Sequence, residues 1–88
     1  MFENPLKMGK INLTVKSATK ILFQGEVAAV SFTNKLGPFD ILPNHKNLIA
    51  LVVEKITIYL DEKRKMELPI TRGVVKVASN VAVVYVGI

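Results

Sequence analysis

The amino-acid sequence predicts an all-β fold: a two-sheet β-sandwich or flattened barrel of about eight to ten short, mostly antiparallel strands. Three observations carry this expectation. Roughly a quarter of the chain is Val, Ile or Thr, whose branched Cβ loses rotamer freedom on a helix and packs well on a pleated surface. Apolar side chains recur at every second position in several segments, which is the period of a strand. Turn-forming residues punctuate the chain at short intervals, and no stretch has the spacing of an amphipathic helix.

Taken in order, residues 10–16 alternate strictly, with Ile11, Leu13 and Val15 toward a core and Lys10, Asn12, Thr14 and Lys16 toward water. Residues 26–33 repeat the pattern less cleanly, with Ala28, Val30 and Phe32 on one face and Val27, Ala29, Ser31 and Thr33 on the other. Between 55 and 70 lies the clearest hairpin. Ile56, Ile58 and Leu60 alternate into a charged tip of Asp61, Glu62, Lys63, Arg64 and Lys65, and Met66, Leu68 and Ile70 alternate back. Pro69 lacks the N–H that a ladder needs, so it marks an edge or an irregular pairing and discourages sheet-to-sheet association. Arg72 with Gly73, and Ser79 with Asn80, set off two further strands, 74–77 and 81–86. The last is apolar on both faces, which means either a central strand in a sandwich or one face left for a partner.

Composition narrows the class further. Eighty-eight residues, half of them apolar and 22% charged, suit one small globular domain. Residues 1–9 read as a flexible leader, with Met8 as an alternative start, and 10–88 as the sandwich domain. The longest apolar run, residues 48–53, ends at Glu54 and Lys55 and falls far short of the ~20 residues of a membrane-spanning helix. Cysteine is absent, so packing must hold the fold without disulfides, as suits a reducing compartment such as the cytoplasm. The net charge of +5 is spread along the chain and selects no partner by itself.

Reactive groups are sparse. His45 is the sole histidine, so no set of metal ligands converges in the sequence, and any catalytic triad would depend on that one residue. The glycines Gly9, Gly25, Gly37, Gly73 and Gly87 stand singly and compose neither a P-loop nor a dinucleotide fingerprint. No residue is therefore expected to serve in catalysis, metal binding or nucleotide binding, and no cofactor is expected. The alternative function is a small basic β-barrel that binds nucleic acid, which requires a cationic groove with exposed aromatics. Aromatic residues make up only 7% of the chain, and Phe23, Phe32 and Phe39 sit among apolar neighbours.

Unusual residues concentrate between 23 and 48. Gly25 and Gly37 allow torsions closed to other residues, so the expectation is that Phe23, Gln24 and Gly25 close a strand and that Gly37 and Pro38 mark a turn. Phe39 and Ile41 share a buried face, and Pro43 ends the ladder and places Asn44 and His45 on a rim loop. Asp40 is positioned to accept hydrogen bonds from loop amides or from His45. For Asp40 and His45, bracing of the loop is the default role and partner contact the sharper alternative.

With Leu13 and Val15 before them, Phe23, Gly25, Gly37, Asp40, Ile41, Leu42, Pro43, Asn44 and His45 form a pattern that resembles the N-terminal β-sandwich of the epsilon subunit of the F-type ATP synthase. The resemblance continues through residues 73–77 and 80–83 and covers nearly everything after Gly9. It implies a non-catalytic central-stalk subunit that is clamped to the gamma subunit, rests on the c-ring and turns with them during proton- or sodium-driven ATP synthesis. Its implied place is the cytoplasmic face of the bacterial inner membrane, as a peripheral part of the synthase with no direct membrane insertion and no nucleic-acid partner. Carried over by position, Lys35, Leu36, Gly37 and Pro38 face the c-ring loops, while Ser17, Asn44, His45 and Lys46 lie toward gamma.

The pattern departs from the family in two places. The family often has polar or acidic residues where Leu36 and Pro38 stand. It also usually continues into a hairpin of two helices that binds nucleotide or brakes ATP hydrolysis, whereas this sequence stops at Ile88. The resemblance therefore carries the rotor role and not the brake, for either a naturally short epsilon or a trimmed chain.

Overall fold

The computed structural model describes residues 9–87, and within them the regular structure is entirely β. The strands are β1 (Ile11–Lys16), β2 (Ile21–Val27), β3 (Ala29–Asn34), β4 (Gly37–Ile41), β5 (Leu48–Tyr59), β6 (Lys65–Ala78) and β7 (Val81–Val86). They hydrogen-bond in the order β2-β1-β7-β6-β5-β3-β4. Every neighbouring pair is antiparallel except β1 and β7, which run parallel. The leader expected over residues 1–9 lies outside the described residues up to position 8.

The all-β sandwich is borne out, while the strand count is corrected from about eight to ten to seven among the described residues. The difference comes from two segments that do not stop where the sequence pattern suggests. Residues 48–53 and 55–59 form one strand of 12 residues, and residues 65–70 and 72–78 form one of 14. Both bend together. Glu54 has a φ of 71°, and the register steps from Val53 opposite Arg72 to Lys55 opposite Pro69. β3 steps at the same level, with Phe32 opposite Ile56 and Thr33 opposite Val53. Such a bulge inserts unpaired residues, sharpens the twist and turns the sheet a corner. The first half of β5 and the second half of β6 thus join β7, β1 and β2, while their other halves join β3 and β4.

Three local readings also change. Residues 26–33 are two strands broken at Ala28, whose N–H donates to the Tyr59 carbonyl at 2.8 Å. Val27 and Ala29, placed on the opposite face from Ala28, Val30 and Phe32, are buried along with them. Gly73 is no turn but lies buried within β6, where a Cβ would meet the Tyr85 carbonyl oxygen at 2.5 Å. Its side-chain-free backbone is what lets β7 approach. Pro69 sits beside the bulge, on the part of β6 that β7 does not reach, as its missing N–H requires.

Alternation then builds the core. Ile11, Leu13 and Val15 of β1 meet Val75 and Val77 of β6, Ala82 and Val84 of β7, and Val30, Phe32, Ile56 and Ile58 from the other half. Ile58 is fully buried, so cutting it back to alanine costs about 2–5 kcal/mol through lost burial and the cavity left behind. β7 answers the question its sequence left open: it is central, yet apolar on its uncovered side, with Val81 and Tyr85 44% and 43% exposed.

Candidate interaction surfaces

The side of the β5–β6–β7–β1 layer that faces away from the core carries two ladder rows that the register places side by side. One runs Leu51, Val74, Tyr85, Lys16 and the next Ile49, Lys76, Val83, Thr14. Leu51 and Ile49 are 67% and 70% exposed, an unusual fate for two large aliphatic residues on one strand. The Lys16 ammonium lies over the Tyr85 ring, 5.2 Å from its centroid, a cation–π contact between neighbours in the same row. Sequence reasoning passed over Ile49, Leu51 and Lys76. The available signal was the unbroken apolar run of residues 48–53, which leaves neither strand face polar.

Two polar segments stand at opposite ends of this face. Ser17 follows Lys16 at the end of β1, where its hydroxyl accepts from the Thr19 and Lys20 amides at 3.4 and 3.3 Å and its N–H donates to the Lys20 carbonyl at 2.9 Å. Asn44, His45 and Lys46 lie at the other end, beside the β6–β7 turn. Pro43 is buried and Asn44 has a φ of 67°, which with the His45 N–H donating to the Leu42 carbonyl at 3.1 Å makes a type II turn. The turn is clasped from outside. The Asn44 N–H donates to Asn80 Oδ1 at 2.5 Å, and Asn80 Nδ2 donates to Asn44 Oδ1 at 3.3 Å. Asn80 and Ser79 both have positive φ, as the tight turn from Ala78 to Val81 requires.

The Lys35–Pro38 set is split by the structure. Lys35 and Leu36 are the tip of the β3–β4 hairpin, and Leu36 is 97% exposed. Its N–H donates to Asn34 Oδ1 at 2.8 Å. Gly37 and Pro38, expected to be the turn, instead open β4, with Gly37 at a φ of 123° and Pro38 opposite Thr33 on an outer strand. This tip and the Asn44 loop lie at opposite ends of β4.

The remaining motif residues have structural work. Gly25 does not close a strand: it sits inside β2 opposite Leu13, and the Phe23 ring folds over it, 3.7 Å from where a Cβ would be. Phe39 and Ile41 do share the inward face, and the Phe39 ring lies 5.5 Å from Phe32. Asp40 does not bond His45. Its carboxylate accepts from the Ser31 hydroxyl at 2.6 Å across the β3–β4 ladder, whereas His45 Nδ1 lies 2.7 Å from the Lys46 carbonyl. Leu42 is half-buried ahead of the turn.

No group of three or more His, Cys, Asp or Glu residues gathers to hold a metal among the described residues. Tyr85 is the aromatic side chain standing well exposed among them, too little for a run of stacked bases. No helix among them is long and apolar enough to cross a membrane.

The site is thus a surface, and the fold that carries it is a small β-sandwich domain with one apolar sheet face uncovered. More particularly, the chain belongs to the β-sandwich domain family of the ATP synthase delta/epsilon chain, which matches residues 10–87. Among curated proteins it is similar to the ATP synthase epsilon chain of Nitratiruptor, 33% identical over 76 residues, covering 85% of this chain and 59% of that one. The epsilon chain of Leptospira borgpetersenii is 38% identical over 72 residues, covering 81% and 56%. The chain therefore spans little more than half the length of these relatives. Its fold is that of a chain in the Euglena gracilis mitochondrial ATP synthase, solved as OSCP, F1 and c-ring, with a TM-score of 0.81 at 19% identity, over 88% of this chain and 50% of that one. A chain of the central stalk and c-ring assembly of the Tetrahymena thermophila mitochondrial ATP synthase aligns with a TM-score of 0.72 at 13% identity, covering 89% and 63%.

Proposed function

We propose that this domain is the non-catalytic central-stalk element of an F-type ATP synthase, joining the gamma subunit to the c-ring while a proton or sodium gradient drives ATP synthesis. The observation that carries the reading is the uncovered apolar face of Ile49, Leu51, Val74, Val83 and Tyr85 in a chain of the epsilon family. Apolar surface of this kind, held on a hydrogen-bonded sheet, suits a lasting protein contact. In this reading gamma lies along that face, reaching Ser17 at one end and the Asn44, His45 and Lys46 loop at the other. The Lys35–Leu36 tip, with Gly37 and Pro38 behind it, meets the c-ring loops. The domain then works as a peripheral part of the synthase, at the cytoplasmic face of a bacterial inner membrane, without entering the bilayer.

Torque passes through such a part only if it is stiffer than its contacts. β5 and β6 favour this, because each runs unbroken from one layer into the other. The direct test is reconstitution with the cognate gamma subunit. The wild-type domain is expected to form a stable complex, and Leu51→Asp to weaken it at least tenfold while melting at the wild-type temperature, since Leu51 is largely exposed. A domain that ignores gamma and instead retards single-stranded oligonucleotides at physiological salt would replace this reading with the nucleic-acid one.

A further inference from the structure

We infer that the surface received by the apolar face carries carboxylates set against Lys16 and Lys76, so that this face selects an acidic-rimmed apolar partner and rejects a second copy of itself. The inference rests on the reading of this face as the seat of gamma and specifies the chemistry of that seat.

Lys76 does not stand at the border of the face but inside it, directly between Ile49 and Val83 in the same ladder row. Lys16 ends the adjacent row, its ammonium over the Tyr85 ring. A partner that covers Ile49, Leu51 and Tyr85 must therefore also take water away from both ammonium groups. Desolvating a cation without a counter-charge costs several kcal/mol, enough to cancel the gain from a few buried aliphatic side chains. Neither lysine has an ion pair within the domain among the described residues. Three of the chain's own acids are engaged elsewhere: Glu67 with Lys55, Asp61 with Arg64 and Asp40 with Ser31. Glu26 shares this face but sits opposite Asn12 on β2, four positions along β1 from Lys16 and three strands from Lys76, and it pairs with neither, so the compensating charge comes from the occupant.

The same charges speak against self-association. In a two-fold contact each patch meets its own copy, so Lys16 and Lys76 would be brought toward like charges, with Glu26 at the β2 edge as the acid the copy sets against them, in a chain that already carries a net +5. An apolar face with two embedded cations thus stays uncovered until an acidic counterpart arrives.

The test is titration of the cognate gamma subunit against four folded proteins at low and high salt: wild type, the double variant Lys16→Glu with Lys76→Glu, Leu51→Asp, and Lys63→Glu at the remote hairpin tip. Thermal melts verify that each is folded. The double variant is expected to bind about tenfold more weakly at low salt and to reverse the salt dependence, gaining affinity as salt screens the new repulsion, with Lys63→Glu unchanged. Wild-type affinity in the double variant, with binding still lost in Leu51→Asp, would keep gamma on this face and overturn the carboxylate match. Failure of the wild type to bind gamma at any salt would remove the functional reading, and the inference with it. Dimerisation of the wild-type domain in sedimentation, abolished by Leu51→Asp, would overturn the rejection of a second copy.

Discussion

The side-chain amide of Asn80 holds Asn44, 36 positions away, by both its backbone N–H and its side-chain oxygen, and each residue is itself in a positive-φ turn. The loop after Pro43 is thereby tied to the turn between β6 and β7, and its orientation depends on the packing of strands remote in sequence. Asn80→Gly keeps the left-handed torsion that the turn needs and removes only the clasp. We expect it to cost about 1–2 kcal/mol of stability and to speed hydrogen exchange at the amides of Asn44 and His45 more than at those of β1. Uniform exchange across the domain would show that the clasp does not position the loop.

Gly25 and Gly73, both inside strands, should respond unequally to alanine. At Gly25 the new methyl would lie 3.7 Å from the Phe23 ring, an ordinary contact, and Gly25→Ala should change stability by less than about 1 kcal/mol. At Gly73 it would strike the Tyr85 carbonyl oxygen at 2.5 Å, so Gly73→Ala should cost about 2 kcal/mol or more. Denaturant titration of the pair decides it.

Asp61 gives the hairpin tip a pH dependence. Its carboxyl is held below the ordinary carboxylate range first by the Lys63 amide and then by the Arg64 side chain, both donating at 2.8 Å. Because the folded value is the lower one, the stabilisation is complete above the unfolded value of about 4 and is lost as the pH falls through the folded value. Asp61→Asn should thus melt slightly below wild type at neutral pH, and the gap should close in acid. A gap that widened on acidification would contradict this sign.

Lys35→Glu tests the hairpin tip. Lys35 is exposed on a two-residue turn, so the variant should fold and bind gamma like wild type while altering the coupling of ATP hydrolysis to ion pumping in the reconstituted synthase. Unfolding of Lys35→Glu would contradict its outward placement.

Much of the fold is legible without coordinates because strand periodicity and turn chemistry are local. Strict alternation at Ile11, Leu13 and Val15 is enough to assign β1 and its buried face, and the charged tip after Tyr59 is enough to assign the β5–β6 hairpin. The pattern of Phe39, Ile41 and Pro43 likewise indicates a strand that ends in a turn. Tertiary structure alone decided which strands pair, where two segments fuse across a bulge, and that Gly73 marks a close approach of β7 rather than a turn. It also decided that the apolar residues of 48–53 and 81–86 divide between a core and one shared open face, and that Asn44 meets Asn80. A residue's period records only that it has an inner and an outer side. Which of those sides is covered is a sum over contacts between segments distant in the chain, and no local pattern contains it.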